Sequence, residues 1–124
     1  MKFLEELKKL NFPTDQYAVF GSGPLAIRGL RENEDIEILV KPELWEKLAK
    51  NHKLARDDLI SIGNVHIFKH WEPWLKNRDE LIDTADIIDG IRFVKLEHVL
   101  DWKEKMGREK DKKDIELIEE YLMC

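Results

Sequence analysis

The sequence predicts an α/β (α+β) fold: a small mixed β-sheet with helices packed on it and a helical pair at the C-terminus. Three observations carry this expectation. Short apolar runs bounded by turn residues alternate with stretches whose apolar residues recur at helical spacing. Two turn pairs, Gly63-Asn64 and Asp89-Gly90, each separate two apolar runs, as hairpins require. The last quarter of the chain carries two helical stripes with a glycine between them.

Taken in order, Phe3, Leu4, Leu7 and Leu10 predict a helix over 2–10, ended by Asn11, Pro13 and Asp15. Tyr17-Ala18-Val19-Phe20 reads as a buried strand, broken by Gly21-Ser22-Gly23-Pro24. Pro24 suits a first helical turn, where its missing N–H costs nothing, so a short helix follows until Gly29. Beyond the polar loop Arg31-Glu32-Asn33-Glu34, residues Ile36 to Val40 form a strand, with Asp35 at its mouth and Glu37 inside it. Pro42 opens a helix with Leu44, Trp45, Leu48 and Ala49 on its buried stripe. The Leu59–Ile62 and Val65–Phe68 runs make one hairpin. Trp71 to Trp74 turn around Pro73, and 75–85 suits a helix. Ile87-Ile88 and Ile91 to Val94 make a second hairpin, followed by helices over 96–106 and 111–122. Trp45 and Trp102 fall on apolar helix faces and read as core; Trp71 and Trp74 read as packing beneath the hairpin, with base stacking as the competing role.

A chain of 124 residues with 43% hydrophobic residues fits a single domain spanning 1–124. Its 21 basic and 26 acidic residues are interspersed and give a net charge of −5, which disfavours generic DNA binding. The single cysteine, Cys124, cannot form an internal disulfide, and the N-terminus carries acids where a signal peptide has an apolar run. No apolar stretch reaches transmembrane length, so no membrane partner and a cytoplasmic location are expected. Composition leaves the oligomeric state open.

Chemistry concentrates in two places. Residues i and i+2 of a strand share a face, so Asp35 and Glu37 stand side by side while Ile36 and Ile38 point the other way. Two adjacent carboxylates repel, and a divalent cation such as Mg²⁺ relieves the repulsion while sharing its remaining positions with substrate phosphates. A half-exposed edge strand produces the same alternation. Upstream, Gly21-Ser22-Gly23 lies between a strand and a helix start, where glycine lets a ligand approach the backbone and free N–H groups favour phosphate. A phosphate cradle plus a carboxylate pair are the parts that phosphoryl-transfer chemistry needs.

Phe20-Gly21-Ser22, twelve residues, and then Asp35-Ile36-Glu37 resembles the signature of the nucleotidyltransferase superfamily. Ala26 to Arg31 resembles that family's helix and basic loop. The segment Lys103-x-x-x-x-Arg108-x-Lys110-Asp111-x-x-Asp114 is similar to its small members, the minimal nucleotidyltransferases and antitoxin-like proteins. The resemblance spans 17–114 and implies Mg²⁺-dependent transfer of a nucleoside monophosphate from an NTP to a hydroxyl on a protein, RNA or small molecule. It implies that Gly21 and Ser22 hold the triphosphate and that Asp35 and Glu37 bind metal. Arg28 and Arg31, basic residues near the motifs, are candidate phosphate partners, with ordinary surface pairing as the competing role; Lys110-Asp111 reads as surface pairing.

Family members often carry a third acid on a later strand. Here that strand offers His66. Imidazole accepts a proton but is a poorer Mg²⁺ ligand than oxygen. His66 therefore serves as a catalytic base, or is an ordinary strand residue in a weakened or inactive site, with Glu72 in the following turn as a replacement acid. The competing function is a catalytically inactive, antitoxin-like module that binds a nucleotide or a partner protein.

Overall fold

The computed structural model describes residues 1–123. In chain order the elements are α1 (Leu4–Lys9), β1 (Tyr17–Phe20), α2 (Gly23–Ala26), β2 (Ile36–Val40), α3 (Pro42–Asn51), β3 (Leu59–Ile62), β4 (Val65–Phe68), α4 (Arg78–Asp83), β5 (Asp86–Ile88), β6 (Ile91–Phe93), α5 (Leu96–Met106) and α6 (Lys112–Met123). A 3-10 turn, Glu109–Asp111, joins the last two helices. The order matches the one expected from apolar periodicity.

Three of the departures from the expected bounds have a visible backbone cause. Phe3 takes a left-handed backbone conformation (φ 67°), so α1 starts only at Leu4. Leu75 is held in a β-bridge to Trp71 and Asn77 is left-handed (φ 57°), so the helix expected over 75–85 shrinks to α4. The last helix begins at Lys112 because the chain first makes the 3-10 turn.

The six strands form one mixed sheet in the order β3-β4-β2-β1-β6-β5. The outer pairs β3·β4 and β5·β6 are antiparallel hairpins, and β1·β2 is antiparallel as well. Parallel contacts β2·β4 and β1·β6 join these pairs. Such contacts need a crossover, which α3 provides for the first. Asp89 (φ 54°) and Gly90 (φ 76°) both have positive φ at the second hairpin, as a type I′ turn demands.

Helices cover both faces of the sheet. On one face Val19, Ile36, Ile38 and Phe93 pack with Leu7 of α1 and with Leu44, Trp45 and Leu48 of α3. On the other, Ala18, Phe20, Leu39 and Phe68 pack with Leu81 and Ile82 of α4, Val99 and Trp102 of α5, and Ile118 of α6. Every residue of β1 is buried, which is why that strand reads as a continuous apolar run. Trp45 and Trp102 are core; Trp71 and Trp74 pack against the second cluster, as the packing reading expects. No helix among the described residues is long and apolar enough to cross a membrane.

Candidate functional site

The site begins with the alternation along β2. Ile36 and Ile38 are fully buried on the α1–α3 face, so Glu37 points to the opposite face, on the same side as Leu39. Asp35 lies just before the strand and is half-buried. Glu37 is paired in register with Phe20 of β1. That pairing brings its carboxyl over Gly21, which directly follows β1. Gly21 has φ +69°, and a Cβ there would lie 2.7 Å from Glu37 Oε1. Glycine is thus required twice, by the backbone conformation and by the carboxyl that fills its side-chain space.

Burial pushes the Glu37 carboxyl up to about 7, and the neighbouring Asp35 charge adds to the rise. Lys103, Arg108 and Lys110 pull in the opposite direction without cancelling it. A carboxyl in this state gains most from an approaching cation.

A cleft of about 420 Å³ opens over these residues. Gly21, Ser22, Asp35 and Glu37 form its sheet side. Lys103, Arg108 and Lys110 reach it from α5 and the turn that follows. Arg31 and Glu34 join from the loop before β2, and Trp71 and Trp102 also line it. The hydroxyl of Ser22 makes no capping bond. Because α2 spans only four residues, its dipole is small, and the cradle reduces to the Ser22 side chain and local backbone.

Most of the cations here are already engaged. Lys103 is only 3% exposed, donates to Asp111 Oδ1 at 2.8 Å, and lies 3.2 Å from Asp114 Oδ2. Its Nζ also sits 4.6 Å from the Trp102 ring centre. Arg108 Nε donates to Asp111 Oδ2 at 2.6 Å, and Arg31 Nη1 donates to both oxygens of Asp114 at 2.9 and 3.0 Å. Burial alone pushes Asp111 up, but its bonds from Lys103 and Arg108 prevail and hold it below the usual carboxylate range. Lys110 is exposed and has no ion pair among the described residues.

The sequence-predicted residues separate accordingly. Gly21, Ser22, Arg31, Asp35 and Glu37 meet in the cleft. His66 stands opposite Glu37 in the parallel β2·β4 register, with Nε2 3.5 Å from Asp35 Oδ2 and Nδ1 2.8 Å from Ser61 Oγ. Arg28, an expected phosphate partner, lies outside the cleft. It donates to the Pro24 carbonyl at 2.7 Å and to Asp86 Oδ2 at 2.9 Å, tying α2 to β5. Glu72, the alternative acid, lines a separate depression with His70 and Arg78.

The surface pairing expected for Lys110-Asp111 gives way to a buried Lys103-Asp111-Asp114 cluster. Asp111 and Asp114 are each 3% exposed. The available signal was their spacing. Asp111, Asp114 and Ile118 fall at steps of three and four, which puts two acids on the same stripe as a core isoleucine.

Among the described residues no group of three or more His, Cys, Asp or Glu side chains is arranged to hold a metal ion. Comparison of the chain with protein-family models, curated proteins and solved structures finds no match.

Proposed function

We propose that the cleft binds a Mg²⁺-nucleoside triphosphate and transfers its nucleoside monophosphate to a hydroxyl, a nucleotidyltransferase-type reaction on a nucleotidyltransferase-type sheet. The observation that carries this reading is the Asp35-Glu37 pair, two carboxyls at the start of β2 that line the cleft beside Gly21 and Ser22, one of them raised to about 7. Four cationic and five acidic side chains line the cleft, so a polyphosphate meets no excess of positive charge from the protein. Asp35 and Glu37 would hold a divalent cation that supplies that charge, and carboxylate oxygens suit Mg²⁺. When bound, the cation would polarise the reacting phosphate and the acceptor oxygen.

The chain's own residues take the remaining roles. Asp35 and Glu37 would hold the cation. Ser22 and the neighbouring backbone orient phosphate, with Lys110, which has no ion pair among the described residues, beside them, while Arg31 is held by Asp114. His66, 3.5 Å from Asp35, accepts the proton of an acceptor hydroxyl.

A second reading has its own support. His66 stands in register with Glu37 at the position where the family resemblance calls for a third acid. A nucleotide-binding module that transfers slowly or not at all, and presents itself to a partner protein as antitoxin-like members do, follows from that substitution.

Thermal melts with and without Mg-ATP test the shared premise. Wild type should be stabilised and Asp35→Ala should not, because a ligand of the native state raises its stability. No shift in either form at millimolar ligand overturns both readings. Label transfer from α-labelled NTP to protein or RNA then separates them. Transfer by wild type supports the enzyme; binding without transfer, with transfer appearing in His66→Asp, supports the module.

A further inference from the structure

We propose that Trp71 is the platform on which a nucleobase stacks in the cleft, and that it selects purine over pyrimidine nucleoside triphosphates. The inference rests on the nucleotide reading of the cleft and names the substrate class.

Apart from Gly21, Ser22 and two tryptophans, every residue lining the cleft is charged. A nucleobase is a flat ring that gains most from an aromatic surface, so Trp71 and Trp102 are its candidate partners. Trp102 is already covered. It is only 2% exposed, and Lys103 Nζ and the Arg108 guanidinium carbon lie over its ring, 4.6 and 5.5 Å from the centre. Trp71 is half-buried, and among the described residues no cation lies over its ring.

Trp71 is also fixed before any ligand arrives. Its ring meets Phe68, Phe20 and Trp102 with centres 5.2, 5.4 and 5.6 Å away. The three planes are inclined to it by 87°, 62° and 73°, so none of these rings is stacked on it. The Leu75 N–H donates to the Trp71 carbonyl at 2.9 Å and holds its backbone. A ring held this way loses little freedom when a base settles on it. Phe20 connects the platform to the phosphate end of the cleft, because it touches Trp71 and directly precedes Gly21 and Ser22.

Two observations set the kind of base. Trp71 Nε1 is buried, so the ring offers a ligand carbon surface and no directed hydrogen bond. Arg31, Lys103 and Arg108 are held by Asp111 and Asp114. Selection then follows the area of overlap, which is larger for the two fused rings of a purine than for the single ring of a pyrimidine.

The test is calorimetric titration of the full chain with Mg-ATP, Mg-GTP, Mg-CTP, Mg-UTP and Mg-tripolyphosphate, the last of which presents phosphates without a base. Wild type should bind ATP and GTP about tenfold more tightly than tripolyphosphate, with CTP and UTP between. Trp71→Leu keeps an apolar side chain in the cluster but removes the ring; it should erase the purine advantage and leave tripolyphosphate binding unchanged. Trp71→Phe should keep part of the advantage. Each variant is compared with its own tripolyphosphate affinity, so lost folding is not mistaken for lost stacking, and the ratio in Trp71→Phe decides should Trp71→Leu not fold. A full purine advantage in either variant, or equal affinity of wild type for purine and pyrimidine nucleotides or for ATP and tripolyphosphate, overturns the inference and leaves the Mg-triphosphate site standing. A wild type that binds none of the five compounds overturns the two together.

Discussion

At Glu37 the fold carries a carboxyl that resists ionisation. In an unfolded chain a glutamate titrates near 4.5, whereas here it does so at about 7. The folded state therefore binds the proton more tightly, and this residue's contribution to stability is present at low pH and lost as pH rises from 4.5 through 7. The loss is about 3 kcal/mol. Glu37→Gln should accordingly be more stable than wild type at pH 8, with the difference vanishing below pH 4, as read by urea denaturation across that range. A Glu37→Gln protein that parallels wild type at every pH would contradict the buried, proton-holding carboxyl. Gly21→Ala acts on the same contact from the other side. It forces alanine into φ +69° and drives a methyl to 2.7 Å from Glu37 Oε1. The cost should be about 1–2 kcal/mol from the backbone alone. Mg-ATP stabilisation should also be lost, because the carboxyl must move. An unchanged nucleotide response in Gly21→Ala would show that Glu37 has no fixed role.

Between elements, Lys103 is the rivet. It stands on α5 and holds Asp111, in the 3-10 turn, and Asp114, on α6, from a nearly water-free position. Lys103→Met fits the same space but leaves two buried carboxyls that keep only Arg108 and Arg31. Removing one partner of a buried ionic cluster leaves uncompensated charge, so destabilisation of about 3 kcal/mol is expected in chemical denaturation. The pH dependence has a definite sign as well. Asp111 titrates below its ordinary 3.8, so its stabilisation is present above that value and is lost as pH falls through the lower, folded one. Lys103→Met should lose part of this acid limb. A methionine variant as stable as wild type would mean the cluster's desolvation cost had been offset only by its own Coulomb energy.

Across the whole molecule, the sheet separates a face closed by α1 and α3 from a face that carries the cleft. Trp45 lies with α1 and α3, whereas Trp71 and Trp102 line the cleft on the opposite face and meet edge-on with ring centres 5.6 Å apart. The nitrogens of both indoles are buried with no hydrogen-bond acceptor among the described residues, and both rings pack against Phe20, Trp71 also against Phe68. If the cleft binds Mg-ATP as proposed, binding should change tryptophan fluorescence through these two rings. The change should persist in Trp45→Phe and shrink in Trp71→Phe. A signal that disappears with Trp45 would place the nucleotide on the wrong side of the sheet.

How much of this was legible before folding differs by level. Element order, both hairpins and the inward Trp45 and Trp102 follow from local periodicity and turn chemistry, because those depend on residues a few positions apart. The pairing of Asp35 with Glu37 is equally local, a consequence of two-residue alternation in one strand. Sequence could not show that Arg28 turns to Asp86, 58 positions away, while Arg31 turns to Asp114, 83 away. Those choices depend on β1·β6 pairing and on where α6 docks. Nor could it show that His66 faces Asp35 with Ser61 behind it, since that needs β4 parallel to β2 in one particular register. Local sequence determined which elements form and which face of each is apolar. Tertiary structure alone decided which charges are buried together, because the energy of a charge pair depends on the distance and water between its partners, and only the closed sheet sets both.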